Sequence, residues 1–177
     1  MMHLPITIPR GAAHFTIALA ATLLGAVAAM PAPAAAAAEP CAGFSWEVAR
    51  ERALFAGEGA RLAAGTDSGS APRLEIARLY ALQLRPSNEV RFVTTPGGRH
   101  SAEGGFAGLA TLKITTPGTY RISVDSGVWI DVVADGGLLD VKDFQGAHDC
   151  TRPRKILEFD FPVPRQVMLQ ISAAGNA

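Results

Sequence analysis

The chain has no surplus of charge, only two cysteines and no apolar run long enough to span a membrane. Lys and Arg total 16 of its 177 residues and Asp and Glu also total 16, so the formal net charge is zero. A neutral chain offers no electrostatic argument for nucleic acid or an anionic membrane as a partner. The longest apolar run, Phe15 to Met30, is shorter than the roughly 20 residues that cross a bilayer. We therefore predict no nucleic-acid partner and no membrane anchor after removal of a leader.

Sequence motifs of common catalytic sites are also missing. No serine stands in Gly-x-Ser-x-Gly, no Gly-x-Gly-x-x-Gly opens a helix after a strand, and no Cys-x-x-Cys pair is present. These absences favour a protein that is not an enzyme and that needs no cofactor. The partners of a catalytic serine can lie far away in the sequence, which leaves a small hydrolase as an alternative.

The start of the chain has the order of a secretory signal peptide. Arg10 supplies a positive n-region, Phe15 to Met30 an apolar h-region, and Ala34 to Ala38 the small residues of a cleavage site. This order predicts a leader over residues 1–38, cleaved at the end of the alanine tract. The mature protein would be a single domain over residues 39–177, periplasmic or secreted.

The two cysteines fit this destination. Export would place Cys41 and Cys150 in an oxidising compartment, where an even number of cysteines favours a disulfide. A reactive thiol or a metal ligand is the alternative reading of either residue. The bridge would join the mature N-terminus to the segment that precedes the last two predicted strands.

The mature part has one helical segment followed by short segments in which apolar and polar residues alternate. Residues 45–56 are predicted to form a helix that Ser45 caps, with Glu51 on its water-facing side. Short strands divided by Gly and Pro turns indicate a mainly β chain, arranged as an antiparallel β-sandwich. The strands predicted from alternation cover residues 78–85, 109–114, 119–124, 128–133, 156–161 and 167–172.

The second half of the chain resembles known modules. Pro117–Val124, Trp129–Val133, Lys155–Phe161 and Val167–Ser172 are similar to strand pairs of bacterial extracytoplasmic β-sandwich modules, such as pre-peptidase C-terminal domains and jelly-roll carbohydrate modules. The chain also resembles small exported bacterial proteins of unknown function, in which a Cys and a Trp-bearing helix precede the sandwich. The resemblance covers residues 107–172. It implies a jelly-roll-like fold and carries over no catalytic residue.

Four residues are candidates for a binding site. Trp129 and Asp131 share one face of a predicted strand, where an indole platform and a carboxylate could hold a sugar ring; alternatively, Trp129 is a core side chain and Asp131 a rim residue. His100 and His148 are the histidines of the mature chain and could hold copper or zinc, or else lie in exposed loops. The leading prediction is a non-catalytic binding or assembly module of the cell envelope, with a protein or glycan partner; the alternatives are a metal-handling protein and the hydrolase.

Overall fold

A computed structural model of the chain describes residues 1–9, 41–97 and 105–175. These residues form twelve strands, one α-helix and one short 3-10 helix at Ser87–Glu89. In chain order the strands and the α-helix are β1 (Met2–Thr7), α1 (Ala49–Phe55), β2 (Ala60–Ala63), β3 (Arg73–Leu74), β4 (Leu79–Gln83), β5 (Arg85–Pro86), β6 (Phe106–Ile114), β7 (Gly118–Val124), β8 (Trp129–Ala134), β9 (Gly137–Leu138), β10 (Asp143–Gly146), β11 (Lys155–Phe161) and β12 (Arg165–Ala174).

The strands are hydrogen-bonded into two six-stranded sheets. The order in the first sheet is β10-β11-β7-β1-β4-β2, and in the second it is β3-β6-β12-β8-β9, with β5 paired to β6. Both sheets contribute side chains to one apolar cluster, in which Leu82 and Ile122 of the first sheet meet Leu112 and Leu169 of the second. The described chain is therefore mainly β, with a core that the two sheets share.

Apolar residues at every second position explain why these segments form strands with one face in the core. In β7, Tyr120, Ile122 and Val124 belong to the shared core, whereas Arg121 and Ser123 lie on the opposite face. β11 pairs with β7 in antiparallel along its whole length. Because burial of each large apolar side chain contributes about 1.5–3 kcal/mol, this pair of strands is a major source of stability.

The six strands predicted from alternation are present, as β4, β6, β7, β8, β11 and β12, whereas residues 90–93, which could also have formed a short strand, do not form one. The sheets are not purely antiparallel, however, because β2 pairs with β4, and β3 with β6, in parallel. The alternation of apolar residues determines which face of a strand is buried, but it carries no information on the direction of the neighbouring strand. The expected antiparallel sandwich is thus corrected to two mixed sheets.

The predicted helix is present but begins later than expected. α1 starts at Ala49, whereas the predicted helix started at Ser45. Gln145 on β10 holds this segment instead: its Oε1 accepts hydrogen bonds from the N–H groups of Ser45 and Trp46, and its Nε2 donates to Ser45 Oγ. Ser45 is therefore tied to β10 and does not cap α1.

The first strand lies in the segment that the sequence assigned to a removable leader. β1 occupies the middle of the first sheet, antiparallel to both β4 and β7. Its alternate residues Met2, Leu4 and Ile6 are buried in the shared core. The predicted h-region and cleavage site, residues 15–38, lie outside the described residues. Cleavage of the leader therefore stays a prediction.

A disulfide joins Cys41 to Cys150, whose Cα atoms lie 4.5 Å apart. Both cysteines pack in a second apolar cluster with Phe44, Val48 and Ile156, at the base of α1. The bridge fastens the chain before α1 to the segment before β11, which is where the sequence led us to expect it. Within the described residues, no helix has both the length and the apolar character needed to cross a bilayer.

Candidate functional site

A pocket of about 200 Å³ opens where residues of β8, β10 and β11 meet at the edge of the two sheets. Trp129 and Asp131 come from β8, Phe144 from β10, and Lys155 from β11, while Leu139 follows β9. The walls are thus mainly apolar and aromatic, with one carboxylate and one amine. This combination is typical of sites that bind small ligands.

A two-residue turn directs the chain back over β8 and so builds one wall of the pocket. Asp135 and Gly136 have φ angles of 52° and 80°, the positive values that a type I′ hairpin turn requires. Glycine has no Cβ to clash there, and aspartate tolerates this conformation better than most residues. The turn pairs Ala134 with Gly137, and the chain then places Leu139 against the pocket.

Trp129 and Asp131 stand two residues apart on β8 and therefore on the same face of the strand. Trp129 Nε1 donates a hydrogen bond to Asp131 Oδ1 at 2.8 Å, and the Gly97 N–H donates to Asp131 Oδ2 at 3.1 Å. The buried carboxylate thus orients the indole ring and holds the neighbouring loop. Trp129 itself is 40% exposed, so it lies at the surface as an accessible aromatic wall and is not a core residue.

Lys155 lies above the ring of Trp129. Its Nζ is 5.3 Å from the ring centroid and donates a hydrogen bond to the carbonyl oxygen of Val128 at 3.3 Å. Burial lowers the pKa of Lys155 below its ordinary value of 10.5, and the negative charge of Asp131 partly offsets this effect. The pocket therefore holds a partly desolvated amine beside an aromatic ring.

The Asp131→Asn variant should have a still lower pKa at Lys155, because burial remains while the attractive charge is lost. An NMR titration of the lysine side chains measures this shift. Asp160→Asn is the matched control, since Asp160 pairs with Lys142 and not with Lys155. A pKa of Lys155 that rises in Asp131→Asn would contradict the assigned cause.

The same shift sets the sign of the pH dependence of stability at Lys155. Between the lowered pKa of the folded chain and 10.5, the unfolded chain binds more protons at this site than the folded chain. The cost of burying the charge is present below that window and is relieved as the pH rises through it. The contribution of Lys155 to stability therefore increases with pH across the window.

Phe144 is a part of the pocket that the sequence did not indicate. It is 64% exposed and lies on β10, in a segment that showed no clear alternation. Pairing of β10 with β11 sets Phe144 opposite Leu157 and brings it to the same pocket as Lys155. The sequence showed only a large aromatic residue in a polar segment. Phe144 lines the pocket because β10 pairs with β11, and the sequence did not reveal that pairing.

Of the two histidines proposed as metal ligands, only His148 is among the described residues, so their convergence stays a prediction. His148 is exposed, and its Nδ1 lies 3.2 Å from Arg154 Nη2. His100 lies outside the described residues. Among the residues that are described, no group of three or more His, Cys, Asp or Glu side chains could hold a metal ion. Cys150 is bonded to Cys41 and so offers no thiolate.

A second cavity, of about 430 Å³, lies beside α1. Arg121 on its wall donates from Nε to Glu158 Oε1 at 2.8 Å, and its guanidinium lies 4.6 Å from the centroid of the Trp46 ring. Glu51, expected on the water-facing side of the helix, is instead 2% exposed and accepts a hydrogen bond from Thr7 Oγ1 at 2.6 Å. These charged groups bind one another, so the cluster fixes α1 on the first sheet.

Comparison with known proteins finds no family model, no curated protein and no solved structure that matches this chain.

Proposed function

We propose that this chain is an exported, non-catalytic module that binds a glycan in the pocket beside Trp129. The observation that carries the proposal is the pair of exposed aromatic rings, Trp129 and Phe144, at one small pocket. Folded chains rarely leave two large aromatic side chains exposed at one pocket without a use, because burying them would be favourable. Such a pair is an expected feature of a binding surface.

The chemistry of the pocket suits a sugar better than an ion. The apolar C–H face of a sugar ring can stack on the indole of Trp129, whose orientation Asp131 sets. The amine of Lys155 and the free lone pairs of Asp131 can bond sugar hydroxyl groups. A cavity of about 200 Å³ is smaller than the roughly 300–1,000 Å³ of sites for drug-sized ligands. It therefore accommodates one sugar unit of a longer chain.

Export is the second part of the proposal. It is supported by the order of the predicted leader and by the Cys41–Cys150 disulfide, because such bonds persist mainly in oxidising compartments. A module of the cell envelope would meet glycans there. The described residues contain no free cysteine, which is also in keeping with such a compartment.

The Trp129→Ala variant should bind its glycan about tenfold more weakly than the parent chain, because it loses the stacking surface. Trp129→Phe should retain part of the affinity, since it keeps an aromatic ring but loses the indole N–H that bonds Asp131. Binding to a glycan array, followed by calorimetric titration of the best ligand, measures the effect.

Val163→Ala is the matched control, because Val163 is an exposed apolar residue that does not line the pocket. It should leave glycan affinity unchanged. Circular dichroism of each variant checks that the fold is retained. The proposal is wrong if the folded parent chain binds no glycan on the array, or if it turns over a substrate.

A further inference from the structure

β1 fills a position in the first sheet that export would empty. We propose that the exported chain, after losing residues 1–38, accepts an extended segment of a partner protein between β4 and β7; this rests on the export part of the proposed function. β1 lies between these two strands and is antiparallel to both. Because neighbouring strands are about 4.8 Å apart, removal of β1 leaves a slot that is one strand wide.

The inner face of the slot selects apolar side chains at alternate positions. Met2, Leu4 and Ile6 are buried there, in the same cluster as Leu82 of β4 and Ile122 of β7. Loss of β1 would expose this part of the core together with the backbone N–H and C=O groups of two strand edges. Addition of a strand from another protein restores both kinds of contact at once.

The outer face of the slot holds two carboxylates, Asp125 and Glu51, each with an arginine about 4 Å away. His3 Nδ1 lies 2.7 Å from Asp125 Oδ2, and the His3 N–H donates to Asp125 Oδ1 at 2.9 Å. Thr7 Oγ1 donates to Glu51 Oε1 at 2.6 Å. Both carboxylates would lose these hydrogen bonds together with the leader. The fitting partner segment therefore carries a side-chain hydrogen-bond donor at the position of His3 and another four positions later.

Pro5 makes β1 an incomplete occupant of the slot. The pairing of Ile6 with Ile122 and of Thr7 with Arg121, continued by one residue, sets Pro5 opposite Ser123. Proline has no N–H to donate and is rare in a strand with neighbours on both sides. Ser123 Oγ is fully buried and has no hydrogen-bond partner in the described parts of the chain. A segment with a polar residue in place of Pro5 would supply the missing backbone N–H and a hydrogen-bond partner for Ser123 Oγ.

The test begins with the protein as a bacterial host exports it from the full-length gene. Mass spectrometry should show a product that starts near Glu39 and therefore lacks β1. Three labelled peptides are then titrated into this product: residues 1–9 unchanged, the same peptide with Pro5→Thr, and the same peptide with Leu4→Asp. Fluorescence anisotropy measures affinity, and hydrogen exchange measures protection of the β4 and β7 amides.

The peptide with Pro5→Thr should bind about fivefold more tightly than the unchanged peptide, because it adds a backbone hydrogen bond. The peptide with Leu4→Asp should bind at least about tenfold more weakly, since it buries a charge in the apolar face. Asp125→Asn in the protein should weaken the unchanged peptide about tenfold. Asp143→Asn, on the far strand β10, is the matched control and should have no effect.

Of the four remaining outcomes, the first three overturn the proposal and the fourth supports it. An exported product that retains residues 1–9, or one to which the cleaved leader stays bound, has no vacant slot between β4 and β7. A product that binds none of the peptides and already protects its β4 and β7 amides has closed the slot by itself. Tighter binding of the unchanged peptide than of Pro5→Thr would mean that the slot is built for the chain's own segment. An exported chain that is unfolded alone but gains β structure with Pro5→Thr peptide supports the proposal.

The outcome for the slot is separable from that for the glycan site. Peptide binding without glycan binding would leave the slot in place and reject the Trp129 pocket as a glycan site. Glycan binding by a product that retains residues 1–9 would support the Trp129 pocket as a glycan site and reject the slot. The two sites share no lining residue among those described, so Trp129→Ala should leave peptide affinity unchanged.

Discussion

Reducing the disulfide between Cys41 and Cys150 should lower the free energy of unfolding by about 4–5 kcal/mol. The two residues are 109 positions apart, so the bond removes much of the conformational freedom of the unfolded chain. For a domain of this size the loss corresponds to a fall of about 10–15 °C in the melting temperature. The effect is large because the bridge spans most of the described fold.

The bridge also has a local role that adds to this effect. Cys150 is buried beside Phe44, Val48 and Ile156, in the cluster that holds the segment before α1 against the sheets. Without the bond, this cluster would be held by apolar contact alone. Hydrogen exchange should therefore increase first in α1 and in the residues before β11 when the bond is reduced.

Guanidinium unfolding with and without a reductant measures the prediction. The variant Cys41→Ser with Cys150→Ser is the control: its midpoint should match that of the reduced parent chain and should not respond to the reductant. Equal midpoints for the oxidised and the reduced parent chain would remove the disulfide from the account of stability.

The second large effect is expected at Arg121. Arg121→Ala should destabilise the fold by about 3–5 kcal/mol, because breaking a buried ion pair from one side leaves the carboxylates without their cation. Arg121 Nε donates a hydrogen bond to Glu158 Oε1 at 2.8 Å. Its Nη1 donates to the carbonyl oxygen of Glu47 at 2.9 Å and lies 3.8 Å from Glu51 Oε1. Its guanidinium also stacks on Trp46, so packing is lost as well.

Urea unfolding of matched variants separates charge from geometry. Arg121→Lys should lie between the parent chain and Arg121→Ala, because an ammonium group keeps the charge but cannot reach several acceptors in a planar fork. Arg121→Met combined with Glu158→Gln should recover part of the loss, since it removes one of the unpaired charges. Arg78→Ala is the control at an exposed ion pair with Glu75, which contributes at most about 1 kcal/mol. A loss at Arg121 no larger than that at Arg78 would contradict a structural role of the cluster.

The strands that the sequence predicted well are those whose own residues define which face is buried. In β7 and β11, alternate apolar residues are enough to define a buried face, and Gly and Pro mark the ends. The short strands β3 and β9 have two residues each and show no periodicity at all. They exist because a neighbouring strand offers hydrogen-bonding groups, which is information that lies elsewhere in the chain.

The candidate site divides in the same way. Trp129 and Asp131 were predicted together because residues two apart on a strand share a face, a local property. Phe144 and Lys155 join them only through the pairing of β10 with β11, and Glu51 is buried because β1 and Arg121 lie against α1. Each of these placements depends on contacts between residues far apart in sequence.

Local patterns of residue type were thus sufficient for the mainly β character, the turn positions and the pairing of the two cysteines. They could not give the direction of the strands, the start of α1 or the strand that lies between β4 and β7. Side-chain alternation is a property of one strand. The direction of a strand, its neighbours and its position in the order of strands are properties of a whole sheet. Those features are decided when distant segments compete for the same hydrogen-bonding edges and the same apolar core.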